Sequence, residues 1–250
     1  MMDMSQLWGA PLAPQYIQWL LDGLQTTLVL SFEACLLGTL LGVLLCLACR
    51  SRLSLVAWPA GAVLSVFRNT PLLIQLFFWY FGVPGLLPAS WMMWLNMPHE
   101  VMFGDWTLEG PSFEFIAALW GLSLYTAAFV AEECRAGIDS VRRGQWQAGV
   151  ALGLGNAQIW RSIILPQALR NVLPPLMGQY MNAVKNSSLA MAIGLAELSY
   201  ASRQVETETL KTFQAFAIAT VLYILIVAVI EVAAQLIQRS RRYRCGRQGH

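Results

Sequence analysis

Long runs of apolar residues, separated by short polar segments, dominate the chain. A helix needs roughly 20 apolar residues to cross the hydrocarbon core of a bilayer. Five runs approach or exceed that length, and they contain few charged residues. The pattern predicts five membrane-spanning helices, at residues 26–49, 53–82, 115–130, 172–195 and 213–230.

Composition supports the same class of protein. Of the 250 residues, 57% are hydrophobic and 12% charged, whereas soluble domains have about 25% charged residues. The net charge of +2 and the absence of any low-complexity repeat exclude nucleic-acid-binding, fibrous and disordered classes. The expectation is an all-α integral membrane protein surrounded by the lipid bilayer, with no room for a separate catalytic domain and no nucleic acid partner.

Basic residues are distributed unevenly between the two sides of the predicted spans. Twelve of the 16 Lys and Arg follow spans one, three and five, in the segments 50–52, 135–170 and 239–247. Positive charge marks cytoplasmic loops, so the N-terminus is predicted outside and the C-terminus inside. The opposite side receives mostly acidic residues, among them Glu197, and two outer loops at 83–112 and 198–212.

The sequence contains few residues that could form a catalytic or metal-binding site. The five cysteines are odd in number and lie mostly in apolar runs, so Cys46 and Cys49 are interpreted as ordinary helix residues. Two histidines are too few to suggest a metal site. Glu132 and Glu133 are consecutive, and consecutive helical side chains diverge by about 100°. We therefore expect solvation at a helix end rather than a pair of catalytic acids.

The segment 139–170, between spans three and four, has the sequence pattern of a structured element rather than of a solvated loop. Its pattern predicts two short helices around a glycine turn at 153–156, with the second helix stopped by Pro166. It has too many apolar residues for a solvated loop, which favours a docking site for a soluble protein; they include Val150, Leu152, Leu154, Ile159, Trp160, Ile163 and Ile164. The alternative is a loop packed beneath its own spans.

Several motifs in combination resemble the permeases of ATP-binding-cassette importers, in their polar amino acid branch. The resemblance covers residues 20–237, and segments 78–80 and 184–188 are similar to glutamate/aspartate permeases. The family's loop usually opens with Glu-Ala-Ala, whereas this chain has Gln147-Ala148-Gly149. The other motifs are Phe67-Arg68-Asn69-Thr70-Pro71, Gly153, Ile163-Ile164-Leu165-Pro166, Leu173-Pro174-Pro175 and Lys185-Asn186-Ser187-Ser188.

The resemblance implies the type I importer permease fold, with the loop 139–170 as a coupling helix that docks on a cytoplasmic ATPase dimer. It also implies a second permease subunit, a periplasmic binding protein and the bacterial inner membrane, with residues 1–19 in the periplasm and a basic tail, 238–250, in the cytoplasm. The chain lacks a phosphate-binding GxxxxGK[ST] sequence, so no cofactor is expected on it, and ATP and Mg²⁺ would bind the ATPase. The implied docking residues are Gln147, Ala148, Gly149, Leu152, Gly153, Leu154 and Gly155.

Two basic residues, Arg68 and Lys185, lie within predicted spans, where a charge costs roughly 2.5–3.5 kcal/mol on insertion scales. Pro71 can break the helix after Arg68, and broken helices often build transport sites. One hypothesis is a path for substrate carboxylates; the alternative is pairing with Glu33 or backbone carbonyls, or a misplaced span end. The predicted path residues are Arg68, Asn69, Thr70, Lys185, Asn186 and Ser187, and the predicted structural prolines are Pro71, Pro166, Pro174 and Pro175.

Together these patterns predict the permease subunit of an importer for a polar amino acid, with glutamate and aspartate as the expected substrates, and not an enzyme. The alternative is a self-contained secondary transporter or channel for a small anionic solute. That class would show inverted repeats or a coupling-ion site, and the sequence has no visible internal duplication.

Overall fold

Helices form nearly all of the computed structural model, which describes residues 12–97, 100–103 and 106–246. The predicted outer segment 1–19 is therefore described only from residue 12, and the last four residues of the tail 238–250 lie outside the described residues. The α-helices are α1 Pro14–Cys49, α2 Ser54–Asn69, α3 Leu72–Phe77, α4 Ala89–Asn96, α5 Phe113–Asp139, α6 Arg143–Ala151, α7 Asn156–Ile159, α8 Leu165–Asn186, α9 Leu198–Thr209 and α10 Thr212–Gly246.

Shorter elements extend or connect these helices. Two π-helical turns, Phe78–Gly82 and Trp160–Ile164, continue α3 and α7, and 3-10 helices occupy Val83–Leu86 and Ser187–Ile193. Strands β1 Glu100–Phe103 and β2 Trp106–Glu109 pair antiparallel, with Glu100 opposite Glu109 and Phe103 opposite Trp106.

Three helices are long and apolar enough to cross a membrane: α1, α5 and the part of α10 over Thr212–Leu236. The pair Ser54–Asn69 and Leu72–Leu86 would make a fourth span, broken between its two helices. These four correspond to four of the five predicted spans. The remaining one coincides with α8 and its 3-10 extension, which is less apolar because it carries Asn, Gln and Lys side chains. Its position in the membrane stays a prediction.

The predicted helix break at Pro71 is confirmed. Helix α2 ends at Asn69, Pro71 is extended with φ −60° and ψ 138°, and α3 begins at Leu72. Proline disfavours helical geometry in the residue before it. The Gln75 side chain compensates by donating hydrogen bonds to the carbonyl and the hydroxyl oxygen of Thr70, at 3.1 and 2.8 Å.

The predicted helix stop at Pro166 is wrong. The Leu165 N–H bonds the carbonyl of Trp160, five residues back, and the chain then continues as α8 through Pro166. A change from π to α hydrogen bonding leaves a backbone position that needs no donor, and proline is tolerated where its missing N–H is not required. Pro174 and Pro175 likewise lie inside α8.

The chain divides into two compact units, which are described separately. Unit 1 comprises residues through Cys35, Thr70–Ser123 and Ala183–Ile226. Its core joins α1, α9 and α10 through the buried residues Leu12, Leu20, Leu198, Ala201, Val205, Ala215 and Ala219.

Helix α9 occupies the predicted outer loop 198–212. Leu198, Ala201, Ser202 and Val205 are buried, at the i, i+3, i+4, i+7 spacing of an amphipathic helix. The other predicted outer loop, 83–112, contains α4 and the β1–β2 hairpin.

Unit 2 comprises Leu36–Asn69, Leu124–Asn182 and the residues from Val227 onward. One apolar cluster joins α1, α2 and α5 through Cys46, Leu64 and Ala131, with Cys49 and Cys134 packed against it. The cysteines of the CxxC sequence thus serve as packing residues. A second cluster joins α5 and α8 through Val130, Val172 and Leu176.

Candidate functional site

The segment between α5 and α8, in unit 2, forms a bent helical element around the predicted glycine turn. Gly153 has a φ of +73°. The Leu154 N–H bonds the Gly149 carbonyl at 3.1 Å, and the Gly153 N–H bonds that of Val150 at 3.0 Å. This is the Schellman pattern, in which glycine supplies the left-handed residue that ends a helix. The turn after α6 therefore requires Gly153 for its backbone conformation.

Most of the predicted docking residues lie on the outside of this element. Gln147, Ala148, Gly153 and Gly155 are exposed, and Leu154 is half-buried. Leu152 is 76% exposed, an unusual exposure for a large apolar side chain.

The inner side of the element is tightly packed. Ile159 and Ile164 are buried, and the Trp146 and Trp160 rings meet edge to face at 6.4 Å. Gly149 also belongs to this side, because a Cβ there would lie 2.8 Å from Cγ1 of Ile159. The element is thus packed on one face and apolar but exposed on the other.

The predicted substrate-path residues are divided between the two units. Arg68 and Asn69 lie in unit 2, and Thr70 and the segment 185–187 lie in unit 1. In unit 2, Glu132 carries both arginine contacts: its Oε2 accepts a hydrogen bond from Nη1 of Arg135 at 3.0 Å and lies 3.5 Å from Nη1 of Arg68. All three side chains are more than a third exposed. The ion-pair partner of Arg68 is therefore Glu132, not one of the partners suggested from the sequence.

Three of the other path residues have local hydrogen bonds. Asn69 donates to the Ser65 hydroxyl at 3.1 Å, Thr70 accepts from Gln75, and the buried Ser187 hydroxyl donates to the Val184 carbonyl at 2.7 Å. Lys185 is exposed at the end of α8 and has no ion pair among the described residues. Asn186 is half-buried. Among the predicted path residues of unit 1, Lys185 is the charged one, and no carboxylate of the described residues pairs with it.

Unit 1 contains a cavity of about 640 Å³ between α1, the start of α5 and the segment 194–196. Its charged lining residues are Glu33 and Glu114; Thr26 and Ser112 add hydroxyl groups, and most of the rest is apolar. Tyr80 donates a hydrogen bond to Glu114 at 3.3 Å. Since no predicted path residue lines this cavity, it is a separate, acidic feature of unit 1.

Glu197 is a polar site to which the sequence interpretation gave no role beyond a place on the outer side of the membrane. It is fully buried, and its Oε1 accepts the Tyr200 N–H at 2.9 Å as the N-cap of α9. Its Oε2 accepts from the Tyr223 hydroxyl at 2.6 Å and from Thr27 at 3.4 Å. Burial raises the pKa of the Glu197 carboxyl, against these hydrogen bonds. The missed signal is its place directly before an amphipathic helix, where N-caps occur.

Glu132 and Glu133 face different partners, as the helical geometry predicts. Glu133 accepts a hydrogen bond from Gln179 of α8 at 3.2 Å, whereas Glu132 contacts the two arginines. The expectation of simple solvation is wrong, because both carboxylates have protein partners. Arg50, at the end of α1, pairs with Asp139, at the end of α5, at 2.7 Å. This pair brings the ends of the first and third predicted spans to one face.

A multi-pass helical membrane subunit with an exposed apolar face on a bent helical element is thus the class of protein that the fold defines. Residues 36–243 match the family model described as "Binding-protein-dependent transport system inner membrane component". The chain is 32% identical to the glutamate/aspartate import permease protein GltJ of Escherichia coli K12, over 91% of this chain and 89% of that protein. It is 30% identical to the arginine transport system permease protein ArtQ of Bacillus subtilis, over 90% and 93% respectively.

Solved structures agree with these relatives. The crystal structure of an amino acid ABC transporter with histidines superposes with a TM-score of 0.76 at 29% identity, covering 90% of this chain and 95% of that one. The chain belongs to the family of inner membrane permeases of binding-protein-dependent ABC importers, in its amino acid branch. It is a membrane subunit and not an enzyme, since ATP hydrolysis in this family belongs to a separate subunit.

Proposed function

We propose that this permease imports acidic amino acids, glutamate and aspartate, from a periplasmic binding protein into the cytoplasm. The observation that carries the proposal is the cluster of Arg68, Arg135 and Glu132. Two arginines share one carboxylate there, so one positive charge is left without a partner inside the cluster. An arginine guanidinium binds carboxylates through a planar fork of donors, and an acidic amino acid supplies the missing negative charge.

Lys185 adds a second basic group to the proposed path. It is exposed in the last turn of α8, where a helix C-terminus favours a cation. Lys185 would attract a substrate carboxylate at its own position. The similarity to GltJ supports the same substrate.

A second candidate is a cationic amino acid. The cavity of unit 1 has Glu33 and Glu114 as its charged lining residues, and carboxylates suit an ammonium or guanidinium group. The similarity to ArtQ, described as an arginine permease, points the same way.

Uptake by the reconstituted importer separates the two substrates. In proteoliposomes with the ATPase and the binding protein, we expect labelled glutamate and aspartate to accumulate and arginine not to. Arg68→Ala and Lys185→Ala should each lower glutamate uptake at least tenfold, while Glu33→Gln and Glu114→Gln leave it unchanged. Arginine uptake that is lost in Glu33→Gln would establish the second candidate instead.

The exposed face of the bent helical element between α5 and α8, which we call the coupling element, is the proposed ATPase-docking surface, formed by Gln147, Ala148, Leu152 and Gly153 with Leu154 and Gly155 beside them. Gly149 supports it from the packed side. ATP and Mg²⁺ would bind to the ATPase. We expect Leu152→Asp to abolish co-purification of the ATPase, because it places a charge in an apolar contact. Asn156→Asp adds the same charge nearby at an exposed position and should leave co-purification intact; equal loss in both variants would contradict the docking surface.

The remaining proposals concern topology and assembly. An N-terminus outside and a C-terminus in the cytoplasm follow from the distribution of Arg and Lys, and an alkaline phosphatase fusion at Asp105 should be active. A second permease subunit, either a copy of this chain or a sibling, would complete the pore. The mass of the detergent-purified complex, formed with only this chain and the ATPase, tests whether one kind of permease is enough.

A further inference from the structure

The three-residue cluster of unit 2 contains one contact within a helix and one contact between helices. Glu132 and Arg135 are both on α5, three residues apart, and their 3.0 Å contact has hydrogen-bond geometry. Arg68 comes from the last turn of α2, and its 3.5 Å contact is an ion pair without a hydrogen bond among the described residues. The contact to Arg68 is therefore the looser of the two.

Glu132 has the same functional group as the substrate proposed for Arg68. A side-chain carboxylate and the carboxylate of an amino acid compete for one guanidinium, and the looser contact exchanges first. Arg68 is 39% exposed at its side chain, so a soluble carboxylate can reach it. When a substrate carboxylate takes Arg68, Glu132 keeps Arg135, and each arginine then has a carboxylate of its own.

We propose that Glu132 is a specificity-determining residue that occupies Arg68 in the empty permease and is displaced by the substrate carboxylate. The inference rests on the proposed function, since it assumes that Arg68 meets the substrate. Glu132 lowers the affinity of Arg68 for a ligand, because the ligand must replace an existing ion pair. A ligand without a carboxylate cannot do so, and chloride or other weak anions compete poorly with it.

Removing the competing charge should strengthen substrate binding. In Glu132→Gln the side chain keeps its shape and can still accept from Arg135, but its attraction to Arg68 is lost. The test is equilibrium binding of labelled glutamate to the detergent-purified complex of permease and ATPase, without the binding protein. We expect about fivefold tighter binding, which corresponds to about 1 kcal/mol for a half-exposed ion pair.

Three further variants separate this role from a structural one. Glu133→Gln makes the same chemical change at the next residue, which contacts Gln179 and not an arginine, and should leave the affinity unchanged. Glu132→Asp keeps the charge but shortens the side chain, so it should give a smaller gain than Glu132→Gln and serves if the latter does not fold. In an Arg68→Gln background, Glu132→Gln should give no gain, because the two residues act through each other.

The outcomes are distinguishable from failure of the proposed function. Unchanged or weaker binding in Glu132→Gln, or a gain that persists in the Arg68→Gln background, overturns the role of Glu132. If the wild-type complex binds arginine and not glutamate, the substrate assignment fails. Glu132 retains its role in that case only if arginine binding tightens in Glu132→Gln and the gain depends on Arg68; otherwise both proposals fail.

Discussion

Glu197 in unit 1 and Glu132 in unit 2 are both glutamates with several partners, but their surroundings differ. Glu197 is fully buried, and it accepts hydrogen bonds from neutral donors, among them the hydroxyl groups of Thr27 and Tyr223 and the backbone N–H of Tyr200. Glu132 is more than a third exposed and contacts two arginines. A buried carboxylate with neutral donors fastens three helices together, whereas an exposed one shared between cations can exchange its partners.

Alanine at the two positions should give the largest contrast. Glu197→Ala leaves the Tyr223 hydroxyl and the Tyr200 N–H without this acceptor, and breaking a buried polar network costs about 3 kcal/mol. Glu132→Ala should cost below about 1 kcal/mol of unfolding free energy, as half-exposed ion pairs do. Thermal unfolding of the purified complex in detergent measures both, and similar losses would remove the distinction between the two sites.

The two units also share a backbone device, a left-handed glycine at the end of a helix. Gly153 in unit 2 and Gly194 in unit 1 have φ of +73° and +87°. Valine at either position should cost about 1–2 kcal/mol, because a Cβ is unfavourable in this conformation.

The consequences should differ between the units. Gly194→Val is expected to lower the melting temperature with the ATPase still bound, whereas Gly153→Val is expected to weaken ATPase co-purification and uptake. Asparagine tolerates this conformation better, so Gly153→Asn should restore much of the loss. An ATPase contact unaffected by Gly153→Val would contradict the importance of this turn for docking.

Alanine substitution at two closely packed glycines, Gly23 in unit 1 and Gly149 in unit 2, should give a smaller difference between the units. A Cβ on Gly23 would lie 2.8 Å from the Ala201 Cβ and 3.0 Å from the Glu197 carbonyl, which are rigid. A Cβ on Gly149 would meet the Ile159 side chain, which can move. We expect Gly23→Ala to cost about 2 kcal/mol and Gly149→Ala below about 1 kcal/mol.

Gly144→Ala is the control for both glycines. Nothing lies within 4 Å of a Cβ at that position, so alanine there should be neutral or slightly stabilising in its helix. Chemical unfolding of the purified complex measures all three variants. A larger loss at Gly149 than at Gly23 would show that the coupling element is packed more rigidly than the core of unit 1.

The smallest expected effect is a pH dependence of stability from unit 1. Burial raises the pKa of Glu197 above its ordinary 4.5, so the folded protein binds this proton more tightly than the unfolded chain. Its contribution to stability is largest below the ordinary pKa and is lost as the pH rises through the raised one. Glu197→Gln should flatten this part of the melting-temperature profile, while Glu208→Gln, at an exposed position of α9, should leave it unchanged.

Local chemistry made several elements predictable. The apolar runs identified four spans, Pro71 predicted the break after α2, and the glycine turn after α6 was recognised from its sequence. These features depend on a residue and its near neighbours, through hydrophobicity or permitted φ and ψ. Pro166 was misjudged because the π-helical turn before it changes which backbone donors are needed.

The roles of individual charges were predicted less well. The role of Arg68 in a substrate path stays a prediction, and its partner Glu132 was interpreted as a solvated residue at a helix end. Glu197 was assigned to the outer side of the membrane from the order of the spans, and the sequence interpretation did not identify its burial. Gly149 was counted with the exposed docking residues, although its contact with Ile159 lies on the packed side.

The sequence by itself determined that this chain is a helical membrane permease, where its helices break and turn, and which family it resembles. Only the tertiary structure decided which carboxylate is locked and which can exchange. Thr27 reaches Glu197 from 170 positions away along the chain, and Arg68 reaches Glu132 from another helix. A carboxylate has no intrinsic role, because its charge and pKa depend on donors that only the folded chain brings within hydrogen-bond distance.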